Sequence, residues 1–114
     1  MTITEELSRG VTVLTMKGRF LGEPETSAFQ EQKFRLLEAN RINIVLDLSD
    51  MTLINSAGLG SLIAALVSTR DRGGDLRLAR LSKVVEQVIQ KVQLDSTFKI
   101  FRSVEEAVSS FGQR

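Results

Sequence analysis

After its first twenty residues, the chain alternates between stretches with strand periodicity and stretches with helix periodicity, and this alternation constrains the fold most. The clearest strand covers residues 42–48, where Ile42, Ile44, Leu46 and Leu48 fall on one face and Val45 on the other. Strands that alternate with helices form sheets whose parallel strands are joined by helical crossovers. The sequence therefore predicts an α/β fold with a mixed β-sheet of four to five strands packed with about four α-helices.

Turn and cap residues divide the chain into elements. A hairpin is predicted at residues 3–7 and 11–17, with Arg9-Gly10 as its turn. Helices are predicted from the first turn at Pro24 to residue 39, from residue 56 to the Gly73-Gly74 stop, over 82–92, and from the capping box at Ser103 to residue 111. Short strands are expected at 76–79 and 98–101, and a connection at 50–55. With 114 residues, a single domain spanning residues 1–114 is expected.

The composition excludes several classes of function. The chain has no Cys and no His, which removes disulfides, thiol nucleophiles, soft-metal sites and the usual general base. Its 15 Lys and Arg residues are interleaved with 14 Asp and Glu residues, so there is no basic patch for nucleic acid. We expect a protein that is not an enzyme, with no catalytic residue, no metal site and no cofactor.

The chain also lacks a membrane signal. Its first residues have neither a basic region nor an apolar stretch typical of a signal peptide. Residues 51–69 carry no charge, but polar residues and glycines interrupt them, and the longest apolar run, 62–67, is far shorter than the roughly 20 residues that a bilayer requires. A cytoplasmic protein is expected.

The segment Asn55-Ser56-Ala57-Gly58-Leu59-Gly60 places one hydroxyl at a predicted helix start. A helix N-terminus offers free N–H groups and a positive dipole end, so an anion at Ser56 would lie in a favourable field. Ser56 is therefore a candidate phosphorylation site. Ser and Asn are also preferred N-cap residues, so a purely structural capping role stays open.

The helix that follows has two predicted faces. Steps of about 100° place Leu59, Leu62, Ile63, Leu66 and Val67 on a core face. The opposite face carries only Ala57, Ser61, Ala64, Ala65 and Ser68. Such a smooth, uncharged face suits docking of another protein, unless a neighbouring element of the same domain covers it. If it docks a partner, Ser61→Lys or Ala64→Arg should impair binding with little loss of stability.

These residues resemble a known family. The strand ending in Asp47-Leu48-Ser49, followed by residues 55–60, is similar to the signature of the anti-sigma factor antagonists, the bacterial branch of the STAS domains. Residues 98–101 and 103–108 resemble the C-terminal pattern of that family, and Gly18-Arg19-Phe20-Leu21 resembles the turn before its first helix. The resemblance covers nearly the whole chain and implies a single STAS-like domain.

The resemblance implies a partner switch that controls transcription. In the family, the serine that matches Ser56 is phosphorylated by a GHKL-type serine kinase that is also the anti-sigma factor, and a metal-dependent serine phosphatase removes the phosphate. The unphosphorylated protein binds the kinase and releases the sigma factor. The implied partner-binding residues are Asn55, Ser56, Ala57, Gly58, Leu59, Gly60, Ser61 and Ala64.

The chain departs from the family pattern at several positions. Asn55 stands where Asp is common, Ala57 where Ser or Thr is frequent, and Gln93 where Gly is usual; residues 22–25 lack a usual Asp. Two alternatives stay open: a scaffold or regulator of a non-transcriptional process with the same fold, and a nucleotide-binding module suggested by Gly58-Leu59-Gly60. The latter signal is weak because no Gly-x-x-x-x-Gly-Lys run is present.

Overall fold

The computed structural model describes residues 1–112 and has six strands and four helices in that range. The last two residues of the predicted domain, Gln113 and Arg114, lie outside the described residues. The strands are β1 (Thr2–Ser8), β2 (Val11–Phe20), β3 (Asn43–Asp47), β4 (Met51–Ile54), β5 (Asp75–Ala79) and β6 (Ile100–Phe101). The helices are α1 (Glu25–Glu38), α2 (Ser56–Asp71), α3 (Lys83–Lys91) and α4 (Val104–Ser110). The predicted α/β fold is confirmed.

The strands form one mixed sheet in the order β1-β2-β3-β5-β6. The β1–β2 hairpin is antiparallel, as predicted, whereas β3, β5 and β6 are added in parallel and reached through helical crossovers. Strand β4 pairs in parallel with residues 18–20 at the end of β2, beyond the point where β3 leaves that strand. The carboxyl ends of β2 and β4 therefore lie side by side, and helices α1 and α2 start from the same edge of the sheet.

Both faces of the sheet are covered by helices. Ile44 and Leu46 of β3 lie in the larger core cluster with residues of α1, α2 and α3, whereas Val45 packs in a smaller cluster with Ala107 and Val108 of α4. This division confirms the predicted faces of the strand. A central strand with two buried faces reads as a nearly continuous apolar run, as it does here.

Strand β4 was predicted as part of a connection. It has only four residues, and the two outer ones, Met51 and Ile54, are buried while Thr52 and Leu53 between them are exposed. Such a short segment has no alternation to detect, and its burial depends on β2, which lies more than thirty residues earlier.

Helices α1, α2 and α3 end in the same way, with a left-handed residue directly after the C-cap. These residues are Asn40, Gly73 and Gln93, with φ of 60°, 88° and 60°. At Gln93, the N–H of the following Leu94 donates to the carbonyl oxygen of Ile89 at 2.9 Å, the bond of a Schellman motif. The predicted stops at Asn40 and Gly73-Gly74 are confirmed. Gln93 adopts a conformation that favours glycine, the usual residue of the resembled family at this position.

Candidate functional site

Asn55 caps helix α2, and Ser56 is the first residue of the helix. The Asn55 Oδ1 accepts a hydrogen bond from the backbone N–H of Gly58 at 3.0 Å. This acceptor satisfies one of the free N–H groups of the first turn. The capping role that the sequence left open for Ser56 therefore belongs to Asn55. Ser56 lies directly after the cap and is exposed to solvent.

The same asparagine joins α2 to the loop between β2 and α1. Its Nδ2 donates a hydrogen bond to the carbonyl oxygen of Leu21 at 2.8 Å. The next loop residue, Gly22, lies so close to the helix that a Cβ placed on it would be 4.0 Å from the Cβ of Ala57. The first turn of α2 and the loop at residues 21–24 therefore form one continuous surface around Ser56.

The two glycines of the motif differ in their surroundings. A Cβ on Gly58 would lie 2.2 Å from the carbonyl oxygen of Phe20, so only glycine allows α2 to approach β2 this closely. A Cβ on Gly60 would have no atom within 4 Å. Packing within the fold thus explains Gly58 without any nucleotide, whereas it gives no reason for Gly60.

The predicted faces of α2 are wrong at three residues. Val67, predicted in the core, is 53% exposed, while Ser61 and Ala65, predicted on the docking face, are buried. Helix α1 covers that side of α2: the side-chain amide of Gln30 donates to the Ser61 carbonyl oxygen at 2.7 Å and to its Oγ at 2.8 Å. For this part of the helix, the neighbouring-element alternative is the correct one.

The exposed side of α2 is therefore rotated by part of a turn from the docking face that the sequence predicts. Of the proposed partner-binding residues, Asn55, Ser56, Ala57, Gly60 and Ala64 are exposed, whereas Gly58, Leu59 and Ser61 are buried. Val67 continues the exposed set one turn beyond Ala64. We call Ser56, Ala57, Gly60, Ala64 and Val67 the outer surface of α2. It has no charge.

The loop before α1 carries a carboxylate, at Glu23, that is hydrogen-bonded to the start of that helix. No acidic residue lies in the first turn of α2, whereas the Glu23 carboxylate accepts hydrogen bonds at the start of α1 from the Ser27 N–H at 3.0 Å and the Thr26 hydroxyl at 3.1 Å. The Ser27 hydroxyl also donates to this carboxylate. The hydrogen bonds from Ser27, followed by that from Thr26, lower the pKa of Glu23. Glu23 is therefore an anion whose oxygens accept hydrogen bonds from the first turn of α1.

Sequence reasoning missed two parts of the site. The pairing of Asn55 with Leu21 joins residues 34 positions apart, and no local pattern announces such a contact. The capping role of Asn55 was predictable from the sequence. Asn caps helices as well as Ser does, and Asn55 directly precedes Ser56.

The described residues contain neither a membrane-spanning helix nor a cluster of metal-binding side chains. No helix among residues 1–112 is long and apolar enough to cross a membrane. In the same range, no three acidic side chains are grouped as a metal site would require.

Comparison with known proteins identifies the family. A family model for the STAS domain matches residues 3–107. A crystal structure of a Thermotoga maritima protein described as an anti-sigma factor antagonist is similar, with a TM-score of 0.87 and 27% identity over 97% of this chain and 95% of that one. The resemblance to the STAS domains is thus confirmed in both sequence and fold.

More distant structures share the fold. The unphosphorylated anti-sigma factor antagonist SpoIIAA of Bacillus has a TM-score of 0.80 and 16% identity, covering 96% of each chain. A sulfate transporter family protein from Wolinella succinogenes has a TM-score of 0.70 and 15% identity, covering 92% of this chain and 87% of that one. The family model covers most of the residues, and the matched region contains the whole Ser56 site. The chain belongs to the STAS domain family.

Proposed function

We propose that this protein is an anti-sigma factor antagonist that switches partners according to the phosphorylation of Ser56. The observation that carries the proposal is an exposed Ser56 hydroxyl at the first position of α2, relieved of capping by Asn55 and adjoining the uncharged outer surface of the helix. The similarity to anti-sigma factor antagonists supports the same reading.

The outer surface of α2 is the proposed docking surface for the partner. Its side chains are small, so a partner can approach the backbone closely and little side-chain entropy is lost on binding. Gly60 supports this role, because glycine costs about 0.5–1 kcal/mol in a helix interior and no contact within the fold requires it here.

Phosphorylation of Ser56 controls this docking through charge. A phosphate adds roughly −1.5 to −2 charges at neutral pH, and at the first position of a helix it lies near the positive end of the dipole. The helix therefore remains folded, and the main effect is a dianion on a surface that was neutral. A partner that fits the uncharged surface is repelled or loses its close contact.

The proposed partners are an anti-sigma factor with GHKL-type serine kinase activity and a metal-dependent serine phosphatase, all in the cytoplasm. Unphosphorylated protein binds the kinase and releases the sigma factor, and the phosphatase restores the unphosphorylated form. The chain supplies a hydroxyl and a surface, and the partners supply the chemistry. It acts as a binding module and not as an enzyme.

Phosphate mapping tests the proposal. The purified protein is incubated with ATP, Mg²⁺ and each GHKL-type serine kinase of the same genome, and the modified residue is located by mass spectrometry. We expect one phosphate on Ser56 and none on the Ser56→Ala variant, which should still bind the kinase. Modification of another residue, or of none with any kinase, would contradict the proposal.

A second candidate function is regulation of a non-transcriptional process. The similarity to the sulfate transporter family protein favours it, because the same fold also occurs in a protein of that class. The two candidates differ in their partners. Displacement of a sigma factor from the bound kinase supports the first, while Ser56 phosphorylation by a kinase that binds no sigma factor supports the second.

A further inference from the structure

Asn55 makes two hydrogen bonds that require an amide. Its Oδ1 accepts from the Gly58 N–H at 3.0 Å, and its Nδ2 donates to the Leu21 carbonyl oxygen at 2.8 Å. A carboxylate could replace only the first bond, because an ionised Asp has no donor. A Ser could also cap the helix, but its shorter side chain cannot replace the amide donor at the same time.

The neutral cap also determines the charge of this end of α2. The first turns of the other three helices contain Glu25 in α1, Glu86 in α3, and Glu105 and Glu106 in α4, whereas the first turn of α2 contains no acidic residue. An Asp at position 55 would place a carboxylate directly before Ser56. Two negative groups at adjacent positions oppose each other.

We propose that Asn55 is a positioning residue of the Ser56 site, which fastens the loop at residues 21–24 to α2 through its amide and, being neutral, leaves no carboxylate to oppose a phosphate on Ser56. This inference rests on the proposed function, since it explains how the site accommodates a phosphate on Ser56. It also makes the loop part of the surface that a partner contacts.

The other charged residues near this end of the molecule are the same in every variant at position 55. Glu23 lies in the loop, Glu25 at the start of α1, and Arg19 at the end of β2, where it pairs with Leu53 of β4. Helix α3, which packs against β4, contributes Lys83 and Glu86 near its start. Because both variants lose the bond to Leu21, the comparison of Asn55→Asp with Asn55→Ser isolates the effect of the carboxylate.

The second pKa of a phosphate on Ser56 tests the charge part of the proposal without any partner protein. Phosphoserine is incorporated at position 56 during translation of the full chain, in the parent protein and in the Asn55→Asp and Asn55→Ser variants. The phosphate is titrated by ³¹P NMR in the folded protein and again in concentrated urea. We expect the folded parent to have a pKa about 0.5 unit below its unfolded value.

The two variants separate charge from structure. Asn55→Ser keeps a neutral cap, so its phosphate pKa should stay below the unfolded value. Asn55→Asp keeps a cap but adds a carboxylate, so its folded pKa should equal or exceed its unfolded value. A parent pKa that does not fall on folding, or equal shifts in the parent and in Asn55→Asp, would overturn this part of the proposal.

Amide spectra of the three unphosphorylated proteins test the fastening of the loop. In the parent, the Asn55 side-chain amide protons should exchange slowly, and in both variants the resonances of Leu21, Gly22 and Glu23 should shift or broaden. Unchanged loop resonances in both variants would show that the Leu21 bond does not hold the loop. None of these measurements needs a kinase, so their failure is distinct from a failure of the proposed function.

Discussion

At the scale of single residues, the Ser56 site contains some residues that the packing of the fold requires and others that make no packing contact. Gly58 lies against the Phe20 carbonyl oxygen and permits the packing of α2 on β2. Gly60 lies one turn after Ser56 in open space. The sequence motif does not distinguish the two glycines. Their surroundings in the fold show that Gly58 is required for packing, whereas Gly60 is free to take part in docking.

Alanine at the two glycines should have opposite effects on stability. Gly58→Ala forces a Cβ against a backbone oxygen and should lower the free energy of unfolding by about 3 kcal/mol or prevent folding. Gly60→Ala should raise it by about 0.5–1 kcal/mol, because it replaces a glycine in a helix interior. Urea denaturation measures both. A loss of stability in Gly60→Ala would show that the fold itself requires this glycine.

Gln93 predicts a stabilising substitution. Its φ of 60° is unfavourable for a residue with a Cβ, so Gln93→Gly should raise the free energy of unfolding by about 1 kcal/mol. Gln90→Gly, on the exposed side of the same helix, is the matched control and should lower it by about the same amount. Thermal unfolding of both variants decides the matter: equal destabilisation would mean that the left-handed conformation carries no strain.

At the scale of elements, the extent of α2 was predictable from sequence and its orientation was not. Asn55 and Gly73-Gly74 mark the ends by their local conformational preferences. The faces could not be assigned because the helix is uncharged over most of its length, so small residues that contact α1 look like small residues that contact solvent. The contact of Gln30 with Ser61 decides between them, and it depends on how two helices pack.

Charged substitutions at Ser61 and Ala64 should have different effects, although the sequence placed both residues on one docking face. Ala64→Arg lies on the exposed outer surface and should weaken kinase binding at least tenfold while the free energy of unfolding changes by less than about 0.5 kcal/mol. Ser61→Lys places a charge in the buried contact with Gln30 and should destabilise the protein by about 2 kcal/mol or more. Calorimetric binding and urea denaturation of both variants test this. Equal stability losses would contradict the revised faces.

The start of β5 joins α2 to the sheet through one buried carboxylate. Asp75 Oδ1 accepts from Arg70 Nε at 2.9 Å, and its Oδ2 accepts from Arg77 Nε at 2.9 Å. Burial alone would raise the pKa of Asp75, but the hydrogen bonds from Arg77 and Arg70 outweigh it and hold the pKa below its usual value. Arg77 in turn lies over the Phe111 ring, 4.0 Å from its centre. The carboxylate therefore links α2, β5 and the end of α4.

This linkage predicts a defined acid dependence of stability. Because the folded pKa of Asp75 is lowered, its contribution is present above the unfolded pKa of about 4 and is lost as the pH falls through the lower folded value. At pH 7, Asp75→Asn should lower the free energy of unfolding by about 2 kcal/mol. The difference between the two proteins should shrink below about pH 4. Urea denaturation at pH 7, 5 and 3 checks this, and a constant difference would contradict it.

At the scale of the whole molecule, the sheet order explains why the candidate site is a single surface. Strands β2 and β4 end side by side, so the loop before α1 and the first turn of α2 meet at one edge and are joined by Asn55. The sequence alone predicted the α/β architecture and the start of a helix at Ser56. It could not predict the short strand β4 or the loop contact, because both depend on residues that are distant in the chain.

The central claim is that charge on Ser56 controls docking to an otherwise neutral surface. The most direct measurement is the affinity of the GHKL-type kinase for the unmodified protein and for the same protein with one phosphate on Ser56, by titration calorimetry under identical salt. We expect the phosphorylated form to bind at least a hundredfold more weakly, about 2.7 kcal/mol, with both forms equally folded. Equal affinities would contradict it.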